Sequence, residues 1–267
     1  VSRVVADAVL LALGGASWAR LGSDGKWVKL LEERSVAVTR LQPNNVGFQV
    51  PWETVYREQY AGVPIKDVRL SFDGSESAGD LMITRWGIEG GAVCALSSKL
   101  RDHQLESGRP AVLNVDLKPS MTEAALAARL GRPNLGKASL SSRLRKAARL
   151  PPVASGLVRH AFRGDPTELR DAAFLAALLK RVPLELGAHQ GFDDAISTSG
   201  GVSAIGLATA QDADGSQSLM LDALPGVFVA GEMLDWEAPT GGYLLTGCFS
   251  TGFSAANQMI RWMGVPM

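Results

Sequence analysis

The stretch Pro225-Gly226-Val227-Phe228-Val229-Ala230-Gly231-Glu232-Met233-Leu234-Asp235-Trp236-Glu237-Ala238-Pro239-Thr240-Gly241-Gly242-Tyr243-Leu244-Leu245 decides how the chain is read. Gly226 breaks the segment before it. Val227-Phe228-Val229-Ala230 is short, apolar and partly β-branched, the composition of a buried parallel strand. Gly231-Glu232 stops that run and leaves a carboxylate just past the strand's C-terminal end, the edge where open α/β sheets bind ligands. Thr240-Gly241-Gly242 then opens a helix whose apolar residues (Leu245, Cys248, Phe249, Phe253, Ala256, Met259, Ile260, Met263) recur at helical spacing. No acidic or basic side chain lies between Glu237 and Arg261, so this helix is expected to be buried nearly all round. Two readings stand. The glycines serve close packing of a strand-turn-helix, or they let an anionic ligand approach free N–H groups favoured by the helix dipole.

Working outward, residues 4–13 read as another buried strand, ended by Gly14-Gly15-Ala16-Ser17. Ser23-Asp24-Gly25 starts a helix with Trp27, Leu30 and Leu31 on one face, and residues 36–38 form a further strand. From Asn44 to about Pro119 the character changes. Val68-Arg69-Leu70-Ser71-Phe72 and Asp80-Leu81-Met82-Ile83-Thr84 alternate like half-exposed antiparallel strands, with Asp73-Gly74 supplying the turn. Gly87-Ile88-Glu89-Gly90-Gly91 precedes a helix to about Leu105, its Gly-Gly being either a packed turn or a second anion site; residues 111–117 return as a strand. Residues 120–182 read as helical, with Ser120-Met121-Thr122-Glu123 as a capping box and Asp165-Pro166-Thr167-Glu168 as an N-cap, N1 proline and acidic N3. Leu184-Glu185-Leu186 reads as re-entry into the first domain. The loop from Ala195 to Val202 carries Gly200-Gly201, which by composition alone is a turn, and residues 211–218 are polar.

Composition narrows the function classes. Hydrophobic residues make up 46% and charged residues 20% of 267, as in a globular chain, and 27 basic residues balance 27 acidic ones. No global pull toward nucleic acid or a membrane surface follows. The longest apolar run, residues 4–16, contains Asp7 and is too short to span a bilayer, and no signal peptide is visible. Cys94 and Cys248 sit far apart in apolar surroundings and read as buried free thiols, which suits a reducing cytoplasm. His103, His160 and His189 lack metal-ligand spacing, so no metal is expected. Residues 120–182 carry 12 Lys/Arg against 4 Asp/Glu. A solvated arginine face explains this first; an anionic partner such as RNA ranks second, because no aromatic residues interleave the charges.

Beyond composition, Gly226-Val227-Phe228-Val229-Ala230-Gly231-Glu232 resembles the strand motif that ends on the ribityl and pyrophosphate region of FAD in two-dinucleotide-domain flavoproteins. The continuation Glu232-Met233-Leu234-Asp235…Pro239-Thr240-Gly241-Gly242-Tyr243 resembles the bacterial YhiN-like flavoproteins, to which aminoacetone oxidases belong. Thr84…Gly87-Ile88-Glu89-Gly90-Gly91 and Asp116-Leu117-Lys118-Pro119 extend the likeness. The resemblance implies an α/β fold: a discontinuous Rossmann-like FAD domain (residues 1–45 and 184–267) with a β-rich insert (46–119) and a helical insert (120–183). It implies that both glycine turns, at Gly14 and Gly231, follow strands of one parallel-type sheet.

Cofactor contacts are implied at Gly14, Gly15, Gly200, Gly201, Gly231, Glu232, Asp235, Thr240, Gly241, Gly242, Tyr243 and Leu244. Glu232 and Asp235 would be ribityl or water-network acceptors and Tyr243 a border of the flavin ring; a helix-start carboxylate and a buried aromatic are their plainer readings. The family's Ala-Thr-Gly-Gly is here Ala12-Leu13-Gly14-Gly15, so the threonine contact is not carried over. No G-x-G-x-x-G occurs in the chain; in the family that turn lies ahead of the segment matching residues 4–17. With Val1 in place of Met, an incomplete gene product or an excised fragment is expected, retaining FAD weakly or not at all by itself. The implied activity is flavin-dependent oxidation or reduction of a small organic substrate, an amine or an enone-like compound, with the flavin supplying the chemistry and no catalytic side chain nominated. The alternative is a degenerate flavoprotein module whose basic helical insert binds an anionic partner. The oligomeric state stays open.

Overall fold

The structure is a computed structural model that describes residues 4–135, 138–208 and 217–264; part of the polar stretch 211–218 lies outside them. It divides into a discontinuous unit, Val1–Asn45 with Gly191–Met267, and a continuous unit, Val46–Gln190. The division falls at 190/191 where re-entry was expected near 184, and the two expected inserts share one core.

The discontinuous unit begins with β1 (Val9–Leu11), α1 (Trp27–Glu32) and β2 (Val38–Asn44). The continuous unit follows with β3 (Phe48–Gln49), α2 (Thr54–Tyr60), β4 (Pro64–Phe72), β5 (Ser75–Ile83) and β6 (Gly87–Glu89). Next come α3 (Gly91–Cys94), α4 (Ser97–Ser107), β7 (Ala111–Asp116), α5 (Glu123–Leu130) and α6 (Leu140–Arg143), which runs on into a π-helical turn. The unit closes with α7 (Pro152–Ala161), α8 (Ala172–Lys180) and β8 (Val182–Leu186). The chain then returns with β9 (Ser197–Val202), β10 (Val227–Val229) and α9 (Tyr243–Trp262).

In the continuous unit six antiparallel strands lie in the order β3-β6-β5-β4-β7-β8. Asp73 (φ 42°) and Gly74 (φ 72°) join β4 to β5 with Phe72 opposite Ser75. Two positive φ values are what a two-residue hairpin turn with native twist requires. Strand β8 alternates: Val182, Leu184 and Leu186 are buried while Pro183 and Glu185 are exposed. That pattern fits a half-covered antiparallel sheet rather than a strand covered on both faces, which is why it joins β7 instead of re-entering the first domain. Leu70, Leu81 and Leu113 of the sheet share one core with Leu126, Leu157 and Leu175 of the helices. An antiparallel sheet needs one face covered, and the helical segment covers it.

Two cations of the basic stretch are internal staples. Lys180 Nζ meets the Asp116 carboxylate at 2.6 Å and donates to the carbonyls of Lys118 and Met121. Arg143 is buried and donates to the carbonyls of Leu169 and Leu130. Helix α5 is capped by Thr122, whose hydroxyl accepts from Ala125 N–H, not by Ser120. Asp165 accepts from Thr167 N–H ahead of a short 3-10 turn, and Asp171 caps α8.

In the discontinuous unit β1 and β10 pair in parallel register, Val9 with Val227 through Leu11 with Val229. The single parallel-type sheet that was expected is instead two pairs, because β2 and β9 run antiparallel. Their register breaks between Thr39 and Gln42, opposite Gly200 (φ +84°). A Cβ on Gly200 would lie 2.4 Å from the Arg40 carbonyl oxygen, so the bulge needs glycine. Trp27, Leu31, Phe228, Val229, Met233 and Ala255 form the core of this unit. Only three residues of the expected strand 4–13 pair, the number that β10 offers, and Val4 and Val5 are exposed. Helix α9 departs furthest from expectation. Ala255 and Gln258 are its buried residues, while Tyr243, Leu245, Phe249 and Phe253 are 59–75% exposed.

Candidate functional site

The turns after β1 and β10 are drawn together by one carboxylate. Glu232 Oε2 accepts from Gly15 N–H at 3.2 Å and Oε1 from Thr198 N–H at 2.9 Å. The Gly14-Gly15 carbonyls are held as well: Trp27 Nε1 donates to Gly14 O and Ser23 Oγ to Gly15 O, both at 2.9 Å. Thr198, almost fully buried, accepts at Oγ1 from Ala16 N–H (2.9 Å) and Ser17 N–H (3.2 Å) and lies 2.9 Å from Ser17 Oγ. A Cβ on Gly15 would fall 2.4 Å from that hydroxyl. Thus β1, β9 and β10 deliver Gly14-Gly15, Thr198 and Gly231-Glu232 to one place. A carboxylate has about four acceptor positions, so Glu232 can hold both backbone donors and still accept from a ligand hydroxyl.

The remaining predicted residues divide by what a side chain would meet. Gly200 and Gly201 are packing glycines, since a Cβ on Gly201 (φ +136°) would lie 2.3 Å from the Met233 carbonyl oxygen. Gly231 (φ +77°) receives Trp236 Nε1–H on its carbonyl, and its own N–H reaches Thr251 Oγ1, both at 3.0 Å. Asp235 is exposed and accepts from the Thr39 hydroxyl, while its N–H pairs with Val202 O. Gly241 (φ +108°) and Gly242 (φ +92°) stand in open space, where the nearest atom to a Cβ is 3.9 Å away at Gly241 and none lies within 4 Å at Gly242. Gly242 caps α9 without a side-chain bond, and no acid lies in the first turn. Thr240 and Tyr243 are exposed and Leu244 half-buried. This twenty-residue helix therefore presents uncapped donors with no Cβ in front of them, a fit for an anionic ligand group.

Thr198 and Asn45 were missed as site residues. Asn45 (φ 50°, buried) donates from Nδ2 to Ser197 Oγ at 2.7 Å and to the Ala238 carbonyl at 2.8 Å, tying β2 to the segments on either side of the site. Thr198 had a signal: Leu13 removes the hydroxyl that the resemblance places at the glycine turn, and Thr198 brings one there from another strand. Asn45 had none beyond a polar residue at a domain boundary.

Burial, with the carboxylate of Glu89, pushes the Cys94 thiol up to about 11, and burial with Glu232 raises Cys248. Cys248 is half-buried rather than fully buried. Among the described residues no cluster could hold a metal ion, and no helix is long and apolar enough to cross a membrane.

The model of the HI0933-like protein Rossmann domain matches residues 1–258. The chain belongs to the HI0933-like Rossmann-domain family. These are the YhiN-like flavoproteins that the motifs resembled, and the Rossmann-like reading of β1, β10 and their glycine turns stands with the family. Among relatives, a 3-dehydro-bile acid delta(4,6)-reductase of Clostridium scindens is 27% identical over 266 residues, which is 95% of this chain and 62% of that enzyme. The HI0933-like chain thus spans less than two thirds of that relative's length.

Proposed function

We propose that this HI0933-like chain forms part of an FAD-dependent oxidoreductase acting on a small organic substrate. The observation that carries the reading is the meeting of Gly14-Gly15, Thr198 and Gly231-Glu232 through the Glu232 carboxylate. Glu232 and Thr198 would order the backbone against which the cofactor lies, and Glu232 would keep acceptor capacity for a ribityl hydroxyl. Gly241 and Gly242 would leave the first N–H groups of α9 open to a phosphate-bearing group. When bound, flavin supplies hydride acceptance and electron transfer; the protein positions and screens it. Of amine and enone-like substrates, the relative's name favours the enone class, because a delta(4,6)-reductase of a 3-dehydro compound acts on a double bond conjugated to a ketone.

The test is cofactor extraction and mass identification from the full-length natural protein, followed by anaerobic mixing of its reduced form with an enone and of its oxidised form with an amine. FAD that the enone reoxidises is the expected result. Absence of any flavin from folded protein would overturn the proposal.

A further inference from the structure

The continuous unit contains a cavity of about 350 Å³ between α2, α6 and α7. None of its lining residues is among the cofactor candidates, and it has the size of a small-molecule site. Its walls have two characters. Tyr56 and Tyr60, with rings 5.1 Å apart and tilted by 56°, join Leu150 and Pro152 as its apolar wall. Arg145 and Arg159 bring guanidinium groups to the same cavity. Arg159 is steadied by donating to Ser141 Oγ, and Arg145 makes no hydrogen bond or ion pair among the described residues. Glu53 also lines the cavity and offsets one of the two positive charges.

His160 lines the cavity too, is 95% buried, and packs edge-on against Trp52 with ring centroids 4.8 Å apart. Its Nδ1 is buried without a partner among the described residues. Tyr56, by contrast, is satisfied: its hydroxyl donates to the Val153 carbonyl at 3.1 Å. The polar capacity of this cavity therefore lies at the arginines, while half-buried Tyr60 offers ring surface and Tyr56 is covered by Trp52, Tyr60 and His160.

We propose that this cavity binds a small monoanionic carboxylate with a flat, apolar body. The carboxylate meets Arg145 and Arg159, and the ring lies along half-buried Tyr60 beside His160. Guanidinium forks match carboxylates in geometry as well as charge. One surplus positive charge selects a monoanion over a phosphate dianion. The inference rests on the cavity residues alone and stands or falls separately from the flavin reading.

Cinnamate and its neutral isostere cinnamamide are the probes, titrated into the intact chain while the histidine ring signals are followed by NMR. With three histidines in the chain, His160 is assignable from a His160→Gln spectrum. Cinnamate is expected to bind saturably, to shift the His160 signal, and to bind about tenfold more tightly than the amide, the worth of one charge-assisted hydrogen bond. Arg145→Gln and Arg159→Gln should each weaken cinnamate about tenfold and leave the amide unchanged, while exposed Arg109→Gln alters neither. Equal affinity for acid and amide, an unmoved His160 signal at saturation, or no saturable binding of either probe would overturn the proposal. The acid–amide comparison uses wild-type protein, so a variant that misfolds does not remove the test.

Discussion

Glu232 has a double duty at the scale of single residues. Its carboxylate closes two loops by accepting backbone N–H groups of Gly15 and Thr198, so replacement by Gln turns an acceptor toward a donor wherever the amide nitrogen lies. A buried donor left unmet costs about 1–3 kcal/mol. Glu232→Gln should lower stability by about that much, read as a shift of the urea midpoint with unchanged slope. Cys94 carries a pH signature. Burial lifts its thiol from an ordinary 9 to about 11, so the folded state holds this proton more tightly than the unfolded chain does. The stabilisation is fully present below pH 9 and is lost as pH rises through about 11. Two pH units correspond to about 2–3 kcal/mol. Cys94→Ala should flatten the fall of stability across that window relative to wild type; parallel curves would show that the thiol does not contribute.

At the scale of elements, the glycine pairs of this chain separate by what surrounds them. Gly201 faces backbone on β9, where a Cβ cannot be accommodated; Gly242 opens α9 into free space. Gly201→Ala should therefore unfold the strand pair, whereas Gly242→Val should keep the fold at a cost of about 1–3 kcal/mol for its positive φ. The informative measurement on Gly242→Val is flavin content in the full-length protein at equal folded concentration. A sharp loss is expected, and content equal to wild type would mean that this glycine serves the turn alone. The hairpin at Asp73-Gly74 and the half-covered strands β4, β5 and β7 were legible because they follow from local turn chemistry and period-two alternation. Strand β8 was legible as a strand but assigned to the wrong neighbour. Its alternation, buried at 182, 184 and 186, carried the correction.

On the scale of the molecule, the apolar face of α9 and the outer edge of β1 are the unusual surfaces. Tyr243, Leu245, Phe249 and Phe253 are exposed along one helix, and β1 pairs with β10 alone among the described residues. Contiguous apolar surface and an open strand edge drive association in water. The chain by itself should self-associate by light scattering and purify without equimolar FAD, since it has no G-x-G-x-x-G turn to hold the pyrophosphate. Phe249→Glu combined with Phe253→Glu should shift it toward monomer. A yellow, monomeric wild-type chain would refute this expectation.

The two strand ends, the glycine turns that follow them, the Asp73-Gly74 hairpin and the family were readable from the residues alone, because each rests on a short run of residues whose conformational preferences act locally. Only the tertiary structure decided which glycines face backbone and which face open space, that Lys180 and Arg143 are staples rather than solvated charge, and that α9 is exposed. It also decided the role of Glu232, whose partners lie 217 and 34 residues away. The physical reason is one of range. Periodicity and φ preference report a residue's immediate neighbours, but burial and hydrogen-bond partnership depend on which distant segment the fold brings against it.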